Sequence, residues 1–193
     1  SSVLGGAYWM TDGRLGVAAD GYELLAETVE AEKEERLVAI RNGRCNLQPQ
    51  HEFADYDAQT CATPAVDRPN VLVIGDSRAA DMFVLLSRTF PELHFLQATG
   101  AACPALLNDW STEERTDSCR RLNVLRFTDL VERDIDAVVL VATGVAAAIP
   151  YLRETIAHLE DRGLQVIVFG PRGSWPAALP LMLAQAEPAE DIN

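Results

Sequence analysis

From residue 70 onward, short unbroken apolar runs alternate with stretches whose apolar positions fall at helical intervals. Val71-Leu-Val-Ile-Gly75 is a continuous apolar run closed by glycine, and Arg78-Ala-Ala-Asp-Met-Phe-Val-Leu-Leu86 follows with amphipathic spacing. A run of this kind predicts a strand over Val71–Gly75 buried on both faces, and the spacing after it predicts a helix over Ala79–Thr89. The rhythm repeats, with strands expected over Leu93–Ala98, Asp136–Ala142 and Gln165–Gly170 and helices over Arg120–Arg133 and Leu152–Arg162. A last helix is expected over Pro176–Gln185, opened by its proline. Strands separated by helices imply an α/β fold: a three-layer α/β/α, flavodoxin-like parallel sheet. The pattern supplies four strands. A doubly wound domain commonly has a fifth, so the sheet is expected to be small or incomplete at its C-terminus.

Upstream, Asp20–Arg41 is rich in Glu, Ala and Leu, with Leu24, Leu25, Val29, Leu37 and Ile40 at helical intervals. Its charge run, Glu30 to Arg36, reads as a solvated helix face. Residues 42–69 carry Asn42-Gly43, Pro49, Pro64, Pro69 and two cysteines, which reads as a loop-rich connector. The expected division is therefore a helical, disulfide-looped extension over 1–69 and an α/β domain over 70–193.

The 193 residues carry a net charge of −13, which argues against a nucleic-acid backbone or an anionic membrane surface as the main partner. No stretch reaches the roughly eighteen uninterrupted apolar residues of a membrane span. The nearest, Ala137–Tyr151, contains Thr143, Gly144 and Pro150. Ser1 is preceded by no Met or basic segment, so a signal or anchor is expected to have been removed or to lie upstream. The cysteines at 45, 61, 103 and 119 form two equally spaced local pairs, without C-x-x-C spacing or a histidine in ligand register. No metal site is expected. Exported, the chain would form disulfides, and of the three connectivities that four cysteines allow, Cys45–Cys61 with Cys103–Cys119 is favoured. Four free buried thiols in a cytosolic protein are the alternative.

Ser77 falls at the carboxyl end of the first sheet strand and the start of a helix, where ligands of open α/β sheets bind and free N–H groups face a developing negative charge. Its hydroxyl is a candidate nucleophile. Gly75-Asp76-Ser77 is neither a Gly-x-Ser-x-Gly elbow nor a phosphate loop, and such a turn also serves simply as a helix cap. After the second strand, Thr99-Gly100-Ala-Ala-Cys103-Pro104 places a glycine where backbone approaches closely. The N–H groups of Ser77 and Gly100 are candidate oxyanion donors; a tight turn before a disulfide is the competing reading of Gly100.

These blocks, together with Ala137-Val-Val-Leu-Val-Ala-Thr143 and Val166-Ile-Val-Phe-Gly-Pro171, resemble the GDSL/SGNH esterase superfamily over about residues 42–180. The closer resemblance is to the extracytoplasmic SGNH domain fused behind membrane acyltransferase-3 proteins, which O-acetylate bacterial surface carbohydrates. The resemblance implies Ser77 as nucleophile and an Asp-x-x-His supplying base and orienting carboxylate. It implies no cofactor, a carbohydrate acceptor, an acyl donor, a membrane acyltransferase partner domain and a periplasmic location tethered to the inner membrane. Asp76, Arg78 and Thr143 are supporting candidates. Arg78 stands where the family usually has His; it is expected to be a solvated helix-start residue, with sugar-carboxylate binding or steadying of the site as the other roles open to it. Thr143 is a weak substitute where the family has a Gly-x-Asn. No Asp-x-x-His occurs in the chain: His51, His94 and His158 each lack an aspartate three positions earlier and read as structural or surface residues. The motif is expected after a further strand. A degenerate SGNH module binding glycan or a partner protein is the alternative, and a flavodoxin-like cofactor or signalling domain is a third reading that fits the fold but not the cysteine pairs.

Overall fold

The computed structural model of the chain describes residues 8–11, 14–17, 32–108, 116–142 and 148–170. The chain divides into two compact units, residues 1–35 with 173–193, and residues 36–172. In the first, β1 (Tyr8–Thr11) and β2 (Arg14–Val17) form an antiparallel pair in which Thr11 faces Arg14. Residues 32–39 are helical, α1. The remainder of the expected 20–41 helix and the helix expected over Pro176–Gln185 lie outside the described residues.

The second unit is built on a five-stranded sheet in the order β3-β5-β4-β6-β7, with every pairing parallel. Its strands are β3 (Asn46–Leu47), β4 (Asn70–Gly75), β5 (His94–Gly100), β6 (Ala137–Val141) and β7 (Gln165–Phe169). The fifth strand thus comes from the connector at the amino-terminal side of the sheet, correcting the expected count of four. β3 has only two residues, set against Thr99 and Gly100 of β5. It carries no apolar run of its own. A bridge between Cys45 and Cys61 ties it to α2 (Ala58–Cys61), a short helix capped by the Asp57 side chain.

Side chains of β4 alternate between two cores, so both faces of this strand are dry. Leu72 and Ile74 join Leu96, Ala98, Val138 and Leu140 against Leu122, Phe127, Leu130 and Leu159. Val71 and Val73 join Phe95, Val139 and Val141 against Ala79 and Phe83. The first core is closed by α4 (Asp117–Leu125), a following π-helical turn (Arg126–Leu130) and α5 (Ile149–Glu160); the second is closed by α3 (Ser77–Thr89). This is the expected three-layer α/β/α arrangement. α4 begins ahead of Arg120 because the Thr116 side chain accepts from the Cys119 N–H and caps it. α5 begins ahead of Leu152 because Pro150 falls in its first turn, where the missing N–H costs nothing. Among the described residues no helix is long and apolar enough to cross a membrane.

A second bridge joins Cys103, in the turn leaving β5, to Cys119 on α4. Each bridge closes a loop with a sequence separation of 16, for which loop entropy predicts roughly 3 kcal/mol of stabilisation. Replacing Cys103 and Cys119 together by alanine is expected to lower the melting temperature by about 6–12 °C in a domain of this size. A melting curve coincident with that of the native protein would show that the bridge does not constrain the fold.

Candidate active site

β4 is the strand at which the chain reverses its course across the sheet, running first to β5 and later back past β4 to β6. Its carboxyl end is therefore the switch point, where ligands of such sheets bind. Gly75 lies there between Thr99 of β5 and Val141 of β6. Its φ of +147° is open to glycine, and a Cβ would stand 2.8 Å from the Ala79 Cβ and 2.9 Å from the Val141 carbonyl oxygen. Only glycine lets the chain turn this closely from strand into helix.

Asp76 caps α3, its carboxylate accepting from the Arg78 N–H at 2.9 Å. Ser77 is the first residue of the helix and is half-buried. Its hydroxyl makes no hydrogen bond among the described residues, while the first-turn N–H groups of α3 concentrate positive potential beside it. Arg78 folds back onto the cap: Nε and Nη2 lie 3.1 and 2.8 Å from Asp76 Oδ2. That pairing raises the guanidinium above its ordinary pKa. A carboxylate two residues earlier thus captures the fork of this partly exposed arginine. The Arg78–Asp76 pair fixes the turn on either side of Ser77.

Gly100 ends β5 one residue beyond Thr99, so it leaves the sheet at the same edge as Asp76-Ser77, one strand away. A Cβ at this position would meet the Cys103 Cβ at 3.2 Å and Leu122 Cδ2 at 3.3 Å, and its carbonyl accepts from the Cys103 N–H at 3.0 Å. The tight turn before the bridged Cys103 is therefore present. Thr143 and Gly144 lie outside the described residues.

The three histidines are engaged elsewhere. His94 opens β5 opposite Asn70, at the far end of the sheet from Gly100, with Nε2 3.0 Å from the Thr63 carbonyl. His158 lies on α5, Nε2 3.1 Å from the Phe127 carbonyl. His51 follows β3 at the carboxyl edge, but β5 separates β3 from β4, a lateral offset of about 10 Å. Its Nδ1 accepts from the Gln48 N–H at 2.9 Å. Among the described residues no imidazole contacts Ser77, and no cluster of His, Cys, Asp and Glu has the makings of a metal site.

A residue not anticipated from the sequence lies beneath the turn. Arg126, the first residue of the π-helical turn, is fully buried. Its Nη2 donates to the Gly75 carbonyl (2.8 Å), Nε to the Ala98 carbonyl (2.9 Å) and Nη1 to Asn123 Oδ1 (2.6 Å) and the Cys103 carbonyl (3.4 Å). One guanidinium thus joins the ends of β4 and β5 and the turn after Gly100. Burial lowers its pKa to about 9, against the opposing pull of Tyr56 and Asp76, so it remains charged at neutral pH. π-helical turns inside helices recur at functional sites.

The architecture and the turn define a three-layer α/β/α domain carrying a serine at the switch point of its central strand. Residues 44–192 match the family described as SGNH domain (fused to AT3 domains), and the chain belongs to that family. Membership associates it with acyl transfer and with a membrane acyltransferase domain as partner. No curated protein and no solved structure matches the chain.

Proposed function

We propose that Ser77 accepts an acyl group and passes it to a hydroxyl of a bacterial surface carbohydrate, as one step of O-acetylation. The observation that supports this most is the placement of a serine hydroxyl, unbonded among the described residues, at the amino terminus of α3, above the central strand. Ser77 Oγ attacks the acyl carbonyl carbon while an imidazole takes the hydroxyl proton. The carbonyl oxygen becomes an oxyanion facing the first-turn N–H of Ser77. The donor departs with the proton, and the acyl-serine is then attacked by a sugar hydroxyl, or by water in an esterase. Asp76, Arg78 and Arg126 hold the turn in place. The imidazole belongs to an Asp-x-x-His, which these 193 residues do not contain. An associated membrane acyltransferase domain delivers the acyl group, and the disulfides favour an extracytoplasmic setting.

Incubating the native protein with an activated acetyl ester, quenching in acid and mapping peptides is expected to place the acetyl group on Ser77. An adduct confined to another residue would sink the assignment. The second reading, a non-catalytic module that binds glycan, is favoured by the lack of any imidazole against Ser77 among the described residues; it predicts glycan binding with no acyl-serine.

A further inference from the structure

At the opposite end of the sheet from Ser77, a cavity of about 420 Å³ opens between α3 and the start of β5. Arg41, Arg68, Arg88 and His94 line it over a floor that includes Phe83 and Phe95, and among the described residues no acidic one lines it. This concentration of guanidinium groups stands in a chain of net charge −13.

Arg41 is the most telling of the four. It ends α1, with its N–H on the Val38 carbonyl (3.0 Å) and the Asn42 N–H on the Leu37 carbonyl (3.0 Å), the bonding of a Schellman cap. Its φ is +53°, a conformation such caps ordinarily give to Gly or Asn. Glycine would relieve the backbone, yet an arginine stands here, its guanidinium 4.6 Å from the centre of the Phe83 ring. Strain of this kind persists where the side chain has a use. No carboxylate pairs with Arg41 among the described residues, and burial together with the like charge of Arg44 lowers its pKa, against the pull of Tyr56. Arg88 is exposed and makes no hydrogen bond or ion pair among the described residues. Arg68 donates to the Pro91 carbonyl at 3.2 Å, and its one ion pair among the described residues, with exposed Asp67, is 3.7 Å long. His94 is turned to the Thr63 carbonyl.

We propose that this cavity is a second binding site, remote from Ser77, for the phosphate group of an ester whose remainder is apolar. Three guanidinium forks exceed what the two oxygens of a carboxylate accept and suit the three or more acceptors of a phosphate. Val84, Pro91 and Leu93, each at least partly exposed, supply the apolar contact for the group the phosphate carries. The chain's negative charge opposes general adsorption to an anionic bilayer, so recognition rests on a phosphate entering the cavity rather than on a charged surface.

The test uses phenyl phosphate, inorganic phosphate and vesicles of phosphatidylcholine with or without phosphatidylglycerol, against the native protein and its Arg41→Gly, Arg88→Gln and Ser77→Ala variants. Phenyl phosphate is expected to bind saturably and more tightly than inorganic phosphate, and each arginine variant to weaken it about tenfold or more. Ser77→Ala should bind as the native protein does, which separates this site from the acyl-transfer reading. Arg41→Gly exchanges strain for unfolded-chain freedom, so its melting temperature is expected to stay within a few degrees of native. Arginine-dependent flotation with phosphatidylglycerol vesicles would identify a lipid headgroup as the source of the phosphate, and binding of phenyl phosphate alone would identify a soluble ester. Absence of binding in both arms, or affinity unchanged in both arginine variants, would overturn the proposal.

Discussion

Ser77→Ala is expected to lower acyl transfer by the native protein on the order of 10⁴-fold or more in kcat, because a nucleophile and its base act as a unit and the loss of one forfeits nearly the whole effect. The loss should be specific to chemistry. Ser77 Oγ makes no hydrogen bond among the described residues, and Asp76, not Ser77, caps α3, so removing one half-buried oxygen leaves the helix start intact. Its melting temperature should therefore match the native value. Full acyl transfer by Ser77→Ala would remove the acyl-serine from the scheme and leave the glycan-binding reading. A variant that lost activity only by unfolding would show a lowered melting temperature instead. Running the same comparison with Arg78→Gln separates the nucleophile from its support: that change breaks the fork onto Asp76 without touching the hydroxyl, so it should lower kcat by a much smaller factor.

The placement of Ser77 was legible in the sequence because two periodicities meet there. A parallel strand dry on both faces reads as a continuous apolar run, and Asn70–Gly75 gives way at Asp76 to helical spacing. The same logic makes β5 and β6 legible to within a residue or two; β7 carries a similar apolar run, although it lies at the sheet edge with Ile167 and Val168 exposed. β3 escaped because a two-residue strand has no period. Asn46 and Leu47 are strand only because β5 lies beside them and Cys45 is bridged to Cys61. The β1–β2 pair also escaped, although Asp12-Gly13, the dipeptide favoured in two-residue hairpin turns, stands between the strands. Arg41 escaped for a different reason: its backbone conformation is one that residue type does not advertise.

Arg126 was overlooked since a charged residue in a helical stretch ordinarily reads as solvated. A signal was nevertheless present, for Leu122, Arg126 and Leu130 recur every fourth residue, so the arginine falls within the apolar stripe. Its position gives the last prediction. Arg126→Met keeps much of the volume and removes every donor, leaving the Gly75 and Ala98 carbonyls without the guanidinium. Both carbonyls keep a ladder bond, but each loses a bond to a charged donor, worth about 1.5–3 kcal/mol. Relief from burying the cation offsets part of that, so the net loss should be about 3 kcal/mol, read as a lower denaturant midpoint at an unchanged slope. Arg126→Lys keeps the charge but not the fork spanning both strand ends, and should fall between the two. Both variants should also lower kcat more than they raise KM when assayed well below their melting temperatures, because the Gly75 carbonyl immediately precedes the Asp76-Ser77 turn and a misplacement of about 1 Å costs on the order of 10²-fold. A native midpoint for Arg126→Met would mean that the strand ends hold themselves. A lowered midpoint with native kcat would confine Arg126 to the fold and leave the geometry of Ser77 to the Asp76–Arg78 latch.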